Sequence, residues 1–363
     1  MKEIPKDVIE EMLSNKEIPF QNRIIDWKSF YKKWYRGKFM KRNKVSIESV
    51  QAFCANPVTC MKASGCFILT GHSNGEYYGS ETLPFSHHHV ISISKDSCIK
   101  IKCLLEPIVC VERDKVLNKH GDVLSSVKVF GNCFAVSCRD NTVTLWGLQI
   151  AKHMEHYLQV TLLKTIIGPQ DNLLSSGFWN NKVYCVTHAG KLRVYEASIN
   201  EWPEETSFKK CLASVREKRP NITAYYLFRD KIILMCSASG KLIVSIDDDN
   251  YKAYNLMETL RTLIVSVILQ GTTLALGGEN GRLYVFYVPT SRSLLDLDFS
   301  HPTFVFTLSE ASIVSLDILY DYDSPVILAS TTETLYIVKW FGKKVKIERT
   351  EATSYFENRI LIE

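Results

Sequence analysis

The segment that most constrains the fold spans residues 119–146, because it divides into three short strands joined by two tight turns. Residues 124–130 and 142–146 alternate small or polar residues with apolar ones, and residues 133–137 form an apolar run. Gly, Asn and Asp supply the turns, since they tolerate left-handed dihedral angles or bond the local backbone. A meander of this size buries too little surface to be stable alone, so the pattern is expected to repeat.

Parts of this segment recur along the chain. The last turn and strand reappear at residues 189–195, 239–245 and 280–286, with weaker copies at 74–80 and 332–338. The strand that opens each unit recurs near Val58, Leu124, Leu174, Ile222, Leu263 and Ser312. After residue 124 the units are roughly 40–50 residues apart, which is the spacing of four-stranded propeller blades.

The interval between Val58 and Leu124 is longer than the others. It has room for a compact unit with strands at residues 90–96, 98–104 and 107–114. Counting this unit gives seven blades, and leaving it out gives six. The sequence therefore predicts an all-β fold, a β-propeller of about seven blades that occupies residues 46–350.

Residues 119–146 resemble a WD repeat. In that family a His before the first strand, a Ser on the second, an Asp in the tight turn and a Trp on the third form a buried hydrogen-bonded set. The resemblance implies these structural roles for His120, Ser137, Asp140 and Trp146, although the serine position falls at Cys138, beside Ser137. The other units replace the Trp and the turn Asp, so the resemblance to a WD-repeat propeller rests on the recurrence of the units.

Composition excludes several classes of protein. The chain of 363 residues carries a net charge of only +5. It contains no apolar run of the ~18 residues that a membrane span requires, and its first residues are charged rather than typical of a signal peptide. These features predict a soluble, intracellular protein, cytoplasmic or nuclear, with no membrane contact.

The 11 cysteines are scattered singly, mostly within apolar strand runs, and no pair has the C-x-x-C spacing of a zinc or redox site. We expect buried, reduced thiols that behave as small hydrophobic side chains. No Gly-rich phosphate loop, nucleophile elbow or His-Glu-x-x-His motif appears. We therefore expect no catalytic residue, no metal and no cofactor, and we predict that the protein is not an enzyme.

Residues 1–45 differ in kind from the repeats. Pro5 suits the start of a helix, and the apolar residues that follow recur at helical spacing to form one stripe. Asp26 can cap a second helix over residues 27–39, which is rich in aromatic residues. Residues 23–44 hold nine Lys or Arg against one acid, so the excess positive charge of the chain lies here.

This segment resembles a shortened F-box followed by the Trp-rich linker of F-box/WD-repeat proteins. The run IPKDVI at residues 4–9 resembles the opening of the F-box, and residues 26–39 resemble the linker; about ten residues between them are missing relative to the family. The resemblance implies that the apolar stripe binds the Skp-type adaptor of a cullin-type E3 ubiquitin ligase. The stripe comprises Ile4, Pro5, Val8, Ile9, Met12 and Leu13.

Two other interpretations of residues 1–45 remain open. The stripe can pack against the side of the chain's own propeller, as amphipathic helices usually do. The basic, aromatic linker can contact RNA, because Arg and aromatic side chains bind phosphates and stack on bases; such a helix more often buries its rings and leaves its lysines in water, so a nucleic acid partner is not favoured.

Either end of the chain can complete the propeller. Residues 46–53 precede the first opening strand and alternate like an outer strand, and residues 344–349 offer a competing one. The N-terminal strand fits the WD-repeat pattern better, and a strand from one terminus that joins the last blade removes an exposed edge. Residues 351–363 form a tail.

The sequence thus predicts a substrate-recognition subunit of a cullin-type ubiquitin ligase. Its N-terminal helix would bind the adaptor, and its propeller would bind a target protein. The alternative is a WD-repeat interaction scaffold with no role in ubiquitin transfer.

Overall fold

A computed structural model of the chain describes its strands and most of its C-terminal third. The described residues are 44–51, 57–64, 67–72, 79–83, 86–93, 99–103, 114–117, 124–130, 133–138, 140–150, 158–167, 173–179, 182–187, 192–196, 205–207, 221–228, 232–246, 250–321 and 324–341. Within these ranges, no helix has the length and apolarity needed to cross a bilayer.

The described residues form 26 strands in seven antiparallel sheets. The first strand is β1 (Lys44–Gln51), which belongs to the last sheet. Sheet 1 contains β2 (Val58–Ser64) and β3 (Phe67–His72). Sheet 2 contains β4 (Gly79–Leu83), β5 (Ser86–Ile93), β6 (Ile99–Cys103) and β7 (Asp114–Leu117). Sheet 3 contains β8 (Leu124–Phe130), β9 (Cys133–Cys138), β10 (Thr142–Ile150) and β11 (Leu158–Ile167).

The second half of the chain continues this pattern. Sheet 4 contains β12 (Leu173–Trp179), β13 (Lys182–Thr187), β14 (Leu192–Glu196) and β15 (Glu205–Ser207). Sheet 5 contains β16 (Ile222–Phe228), β17 (Ile232–Ser237), β18 (Lys241–Ile246) and β19 (Asn250–Asn255). Sheet 6 contains β20 (Ile264–Gln270), β21 (Thr273–Gly278), β22 (Arg282–Tyr287) and β23 (Phe304–Thr307). Sheet 7 contains β24 (Ser315–Asp321), β25 (Ser324–Ser330) and β26 (Thr334–Phe341) together with β1. A short helix, α1 (Leu256–Thr259), and a 3-10 helix (Ser291–Leu294) lie in the connections.

Each four-stranded sheet is a meander whose strands follow chain order, except that β1 completes sheet 7. It pairs antiparallel with β26 over its whole length, from Lys44 opposite Phe341 to Gln51 opposite Thr334. Residues far apart in sequence thus share one sheet, and the edge of β26 is covered.

A bulge recurs at the same place in five sheets. In each of these sheets, the second residue of the first strand has no paired residue on the second strand. The skipped residues are Thr59, Ser125, Leu174, Thr223 and Val265. Such a bulge increases the local twist of a strand, so its recurrence indicates that the units repeat in three dimensions as well as in sequence.

The second strand is deeply buried in sheets 3, 5 and 6, where the structure describes the burial of all its residues. All six residues of both β17 and β21 are buried, and so are five of the six in β9. A strand covered on both faces is apolar throughout rather than alternating, which explains the apolar runs in the sequence. Burying one Leu or Ile side chain contributes about 1.5–3 kcal/mol, so these strands anchor the core.

Consecutive sheets pack against each other. One buried cluster joins sheets 3 and 4, and others join sheets 4 and 5, 5 and 6, and 6 and 7. The first strand of sheet 2, β4, contacts the first strands β2 and β8 of its neighbours. Sheets 7 and 1 also share a cluster, which includes Met61 and Ala63 on one side and Leu328 and Ile337 on the other.

The edge of β2 opposite β3 is bonded to sheet 7 and to the turn between two of its strands. The Val58 amide donates to the carbonyl of Thr332 at 2.8 Å, and the Met61 amide donates to Ser315 Oγ at 3.1 Å. The Ala63 amide donates to Asp317 Oδ2 at 2.9 Å. Three backbone donors that an edge strand would otherwise expose are therefore satisfied by the last sheet.

The strands predicted from the repeats are largely confirmed. Opening strands begin at or within three residues of the six predicted starts. The four long connections at residues 147–172, 196–221, 247–262 and 287–311 each contain an outer strand, namely β11, β15, β19 and β23. The N-terminal strand expected from residue 46 begins two residues earlier, at Lys44, and it is the one that completes the last sheet. An all-β fold is therefore shown.

Other predictions meet the structure only in part. The compact unit exists as sheet 2, but its opening strand is β4, at residues 79–83, whereas the sequence placed the first strand at 90–96. Residues 79–80 of the weak repeat at 74–80 therefore open sheet 2 rather than close sheet 1. The predicted helices of residues 1–43, the strand at 344–349 and the tail lie outside the described residues.

Candidate functional site

All six residues predicted to bind a partner fall outside the described part of the chain. These are the adaptor-binding residues Ile4, Pro5, Val8, Ile9, Met12 and Leu13. His120, which was predicted to have a structural role in the WD-type set, also lies outside the described residues. Their roles stay predictions. The other three members of the set, Ser137, Asp140 and Trp146, lie in sheet 3.

These three residues make different hydrogen bonds within sheet 3 and its neighbour. Trp146 is buried, and its Nε1 donates to Thr144 Oγ1 at 2.9 Å. Asp140 is exposed in the turn before β10, where its Oδ1 accepts the Thr142 amide at 2.8 Å. The sequence did not single out Thr144, although a Thr two residues before a Trp on one strand lies on the same face and within reach of the indole.

The buried Ser137 faces the next sheet. Its hydroxyl donates to Ser176 Oγ on β12 at 2.7 Å, and both side chains are fully buried. Because buried hydroxyls are costly without a partner, this pair fixes sheet 3 against sheet 4. The sequence predicted that Ser137 takes part in a hydrogen-bonded set within its own repeat; its partner here, Ser176, belongs to the next repeat.

A groove of about 740 Å³ lies on the side of sheet 6 that faces sheet 5. We call it the sheet-6 groove. The residues that define it are Leu260, Arg261, Arg282, Tyr284, Val305 and Glu310. It was not predicted from the sequence, because its walls come from three segments separated by about twenty residues each.

One wall is the link between sheets 5 and 6. The carbonyl of Gly240, in the β17–β18 turn, accepts the amides of Leu256 and Met257 and so holds the start of α1. Leu260 closes α1 by donating to the carbonyl of Leu256 at 2.7 Å, and its side chain is buried. The next residue, Arg261, leaves the helix with a φ of 55° and is exposed.

The left-handed backbone at Arg261 is unusual for a residue with a side chain. This conformation costs a residue with a Cβ about 1–2 kcal/mol more than it costs glycine, because the Cβ approaches the following carbonyl oxygen. Strain of this kind tends to persist where it positions a side chain for a purpose. Here it turns the chain sharply and leaves the Arg261 guanidinium at the groove.

The floor of the groove is held by hydrogen bonds around Tyr284. Its hydroxyl donates to the Leu260 carbonyl at 3.4 Å and accepts from Asn280 Nδ2 at 3.2 Å. Asn280 Oδ1 in turn accepts the Arg282 amide at 3.2 Å. Gly281 completes this turn with a φ of 69°; a Cβ there would meet the Ser309 carbonyl oxygen at 2.0 Å, so only glycine fits.

The other wall is β23, the outer strand of sheet 6. Phe304 and Phe306 point away from the groove and pack edge-on against Trp340 of sheet 7. Val305 and Thr307 alternate with them and line the groove, and Val305 is 48% exposed. An apolar side chain this exposed on an edge strand is typical of a surface that another chain covers.

The loop that leads into β23 is fixed to sheet 5. Tyr254 OH donates to the carbonyls of Leu294 and Leu295, at 3.2 and 2.5 Å. Phe299 is buried between Tyr254 and Phe286, with ring centroids 4.6 and 5.2 Å away. Burial and the nearby charge of Asp296 raise the pKa of Tyr254 to about 12, so the hydroxyl stays protonated and donating.

The charge of the groove is mainly positive. Arg261 and Arg282 are both exposed, and Glu310 is the carboxylate among the lining residues. Neither guanidinium takes part in an ion pair with any residue that the structure describes. Two cations that face a concave surface without carboxylate partners favour an anionic ligand.

A Ser-His-Asp cluster lies at the rim of the groove. His301 Nδ1 is 2.6 Å from Asp298 Oδ2 and 3.0 Å from Ser300 Oγ. Ser300 donates to Asp298 Oδ1 through both its hydroxyl and its amide. In a catalytic triad the serine and the carboxylate contact opposite nitrogens of the imidazole; here both contact the same nitrogen, so the serine is not activated.

The cluster instead stabilises the turn before β23. The hydrogen bonds from Ser300, with that of His301, lower the pKa of Asp298 from 3.8 to about 2. The carboxylate therefore stays ionised and accepting throughout the physiological pH range.

No metal site appears in the described ranges, where no group of three or more His, Cys, Asp or Glu side chains could hold an ion. Among the cysteines, Cys138, Cys185 and Cys236 are buried in the second strands of their sheets. Burial raises the pKa of the Cys236 thiol to about 12. These side chains fill the core as small hydrophobic groups.

Comparison with known proteins gives a fold but no family. No family model matches the sequence, and no curated protein matches it. The crystal structure of the computationally designed Ika8 protein is similar, with a TM-score of 0.54 and 13% sequence identity. The similarity covers 80% of this chain and 98% of that chain. At this identity it concerns the fold alone.

Proposed function

We propose that the chain is a protein-binding β-propeller of seven blades in which each sheet forms one blade. The proposal is supported by the order of contacts, in which each sheet packs on the next and sheet 7 packs on sheet 1. The observation that carries it is the bonding of both N-terminal strands to sheet 7: β1 extends that sheet, and the edge of β2 opposite β3 is bonded to it. A ring is the arrangement that leaves no inner edge exposed.

The proposed activity is binding rather than catalysis. The sheet-6 groove carries two arginines, an exposed valine and a strand edge that no described strand pairs with, and the serine, histidine and aspartate at its rim form a turn. Such features recognise a polypeptide. A rigid propeller that presents them is suited to hold a partner in a fixed orientation.

For the biological role, we propose a substrate-recognition subunit of a cullin-type ubiquitin ligase of the F-box/WD-repeat kind. The support comes from the sequence: an apolar stripe with the opening residues of an F-box, then an aromatic linker, both directly before β1. In this role residues 4–13 bind the Skp-type adaptor, and the propeller holds the protein to be modified.

The test of this role is a binding measurement between the intact chain and the purified Skp-type adaptor. The variant Pro5→Ala/Val8→Ala/Ile9→Ala should lose binding. A matched control is Lys6→Ala/Glu10→Ala/Glu11→Ala, which alters the polar face of the same segment and should retain it. If the intact chain is folded and does not bind the adaptor, the ligase role is wrong and the propeller is an interaction scaffold with no role in ubiquitin transfer.

A further inference from the structure

We infer that the sheet-6 groove binds an extended, acidic segment of a partner protein, which adds to the free edge of β23 as a fifth strand. This inference rests on the proposed role as a protein-binding propeller and names the chemistry of one binding surface. It combines three independent features of the groove: the direction of the backbone groups on β23, the exposed apolar side chain, and two arginines that form no ion pair with a described residue.

The backbone of β23 has donors and acceptors that face outward. The amide of Leu308 donates to the carbonyl of Gly281, so these two residues form a hydrogen-bonded pair. In an antiparallel ladder such pairs alternate with pairs that make no bond. By this alternation, the backbone groups of Phe306 and Phe304 form hydrogen bonds with β22. Those of Val305 and Thr307 point away from the sheet.

No strand that the structure describes pairs with the outer edge of β23. Edge strands in soluble proteins are commonly shielded by lysines, prolines or an inward charge. β23 consists of FVFT and presents Val305 and Thr307 on its groove side. Their outward amides and carbonyls make no hydrogen bond with the residues that the structure describes, so they are available to an added strand.

Side chains of the added strand meet the groove at alternate positions. Thr307 lies opposite Arg282, and Val305 lies opposite Tyr284, on the same face of the sheet. A residue paired with Thr307 would lie next to the small threonine side chain, across which Arg282 can reach. A residue paired with Val305 would cover its exposed methyl groups. The groove therefore selects an apolar residue and an acidic residue two positions apart.

The charge of the groove defines the sign of the partner. Arg261 is held at the opposite wall by the strained backbone that follows α1, and Arg282 stands at the start of β22. A carboxylate between them would form charge-assisted hydrogen bonds. Glu310 opposes this, but it is a single carboxylate on the exposed rim, so replacing it should strengthen binding of an acidic segment.

The test uses the full chain and a fluorescein-labelled octapeptide of sequence TVTETETV. Fluorescence anisotropy should show saturable binding. We expect Arg261→Ala and Arg282→Ala each to weaken it about tenfold, the value of one charge-assisted hydrogen bond. Glu310→Gln should strengthen it. Arg292→Ala is the matched control, since Arg292 is exposed on the 3-10 helix outside the groove.

The backbone hydrogen bonds between β23 and the peptide are tested by one change in the protein and one change in the peptide. Val305→Pro removes an outward amide without removing a bond to β22, so it should abolish peptide binding and leave the circular dichroism spectrum unchanged. If this variant unfolds, a peptide N-methylated at alternate residues tests the same hydrogen bonds on the intact chain. It should bind at least about tenfold more weakly than the unmodified peptide.

Several results would overturn the inference. These are the absence of saturable binding, equal binding of a peptide with glutamine in place of glutamate, or tighter binding of oligouridine than of the acidic peptide. Failure of the proposed function is distinguishable: if the groove variants still bind every protein that the intact chain binds, the propeller remains a binding protein and only the assignment of this groove is wrong.

Discussion

Asp317 is the residue whose replacement should disturb the junction of sheets 1 and 7 most. Its side chain is almost completely buried on β24. One carboxylate oxygen accepts the Ala63 amide of β2 at 2.9 Å, and the other accepts the Ile318 amide at 3.0 Å. Lys62 Nζ lies 3.7 Å away, beyond hydrogen-bonding distance but close enough to pair electrostatically.

The size of the effect follows from what each variant leaves behind. Asp317→Ala removes both acceptors and leaves Lys62, which is mostly buried, without this carboxylate, so it should lower the free energy of unfolding by about 3–5 kcal/mol. Asp317→Asn keeps one acceptor oxygen and loses the charge, and it should cost about 1–2 kcal/mol. Lys62→Met leaves the carboxylate bonded to two amides, so it should cost less than Asp317→Ala, about 1–2 kcal/mol.

The assay is urea denaturation of the intact chain, followed by circular dichroism. The control is Glu333→Ala, because Glu333 is exposed in the turn between β25 and β26 and its loss should change stability by no more than about 0.5 kcal/mol. The reasoning would be refuted if Lys62→Met destabilised the protein as much as Asp317→Ala. An Asp317→Ala cost within about 1 kcal/mol of the control would refute it as well.

Three further predictions concern the groove and its surroundings. Arg261→Gly should be more stable to urea than Arg261→Ala by about 1 kcal/mol, because only glycine relieves the left-handed backbone. The pKa of Asp298, followed by NMR, should rise from about 2 towards 3.8 in Ser300→Ala and less in His301→Ala, so the turn keeps its hydrogen bonds above pH ~4 and loses them as the pH falls through ~2. Tyr254→Phe should cost about 1 kcal/mol in urea denaturation, because it removes the tie between sheets 5 and 6.

Each of these has a contradicting outcome. Equal stability of the two Arg261 variants would mean that the left-handed conformation is absent in solution. An Asp298 pKa that does not respond to Ser300→Ala would place its hydrogen bonds elsewhere. A Tyr254 phenol that titrates near its ordinary pKa of 10 rather than about 12 would mean that it is not buried as described.

The strands could be predicted because their causes are local. Alternation of apolar residues and the turn residues Gly, Asn and Asp act over a few positions, and they recur in β8–β10, β16–β18 and β20–β22. The start of sheet 2 was missed because GSETL, at residues 79–83, has no apolar alternation. The choice between the two termini also stayed open, since both offer alternating strands and only long-range pairing distinguishes them.

The groove could not be predicted for a physical reason. Arg is not a turn residue, so the left-handed backbone at Arg261 leaves no trace in the sequence. The exposure of Val305 depends on β23 being an edge strand, which is a property of the whole sheet. Asp317 had a usable signal, because an acidic residue within an apolar strand must find buried donors, but its hydrogen-bond partner on β2, Ala63, lies 254 positions away in sequence.

The most direct test of the account is hydrogen exchange, measured by NMR on the intact chain, at the amides of Val58, Met61 and Ala63. These three amides lie on the edge of β2 opposite β3, and their acceptors belong to sheet 7 and the turn between two of its strands. A closed ring predicts exchange as slow as that of the buried strands β17 and β21. Exchange at the rate of an exposed strand edge would mean that sheets 1 and 7 are not joined, and the proposed propeller would be wrong.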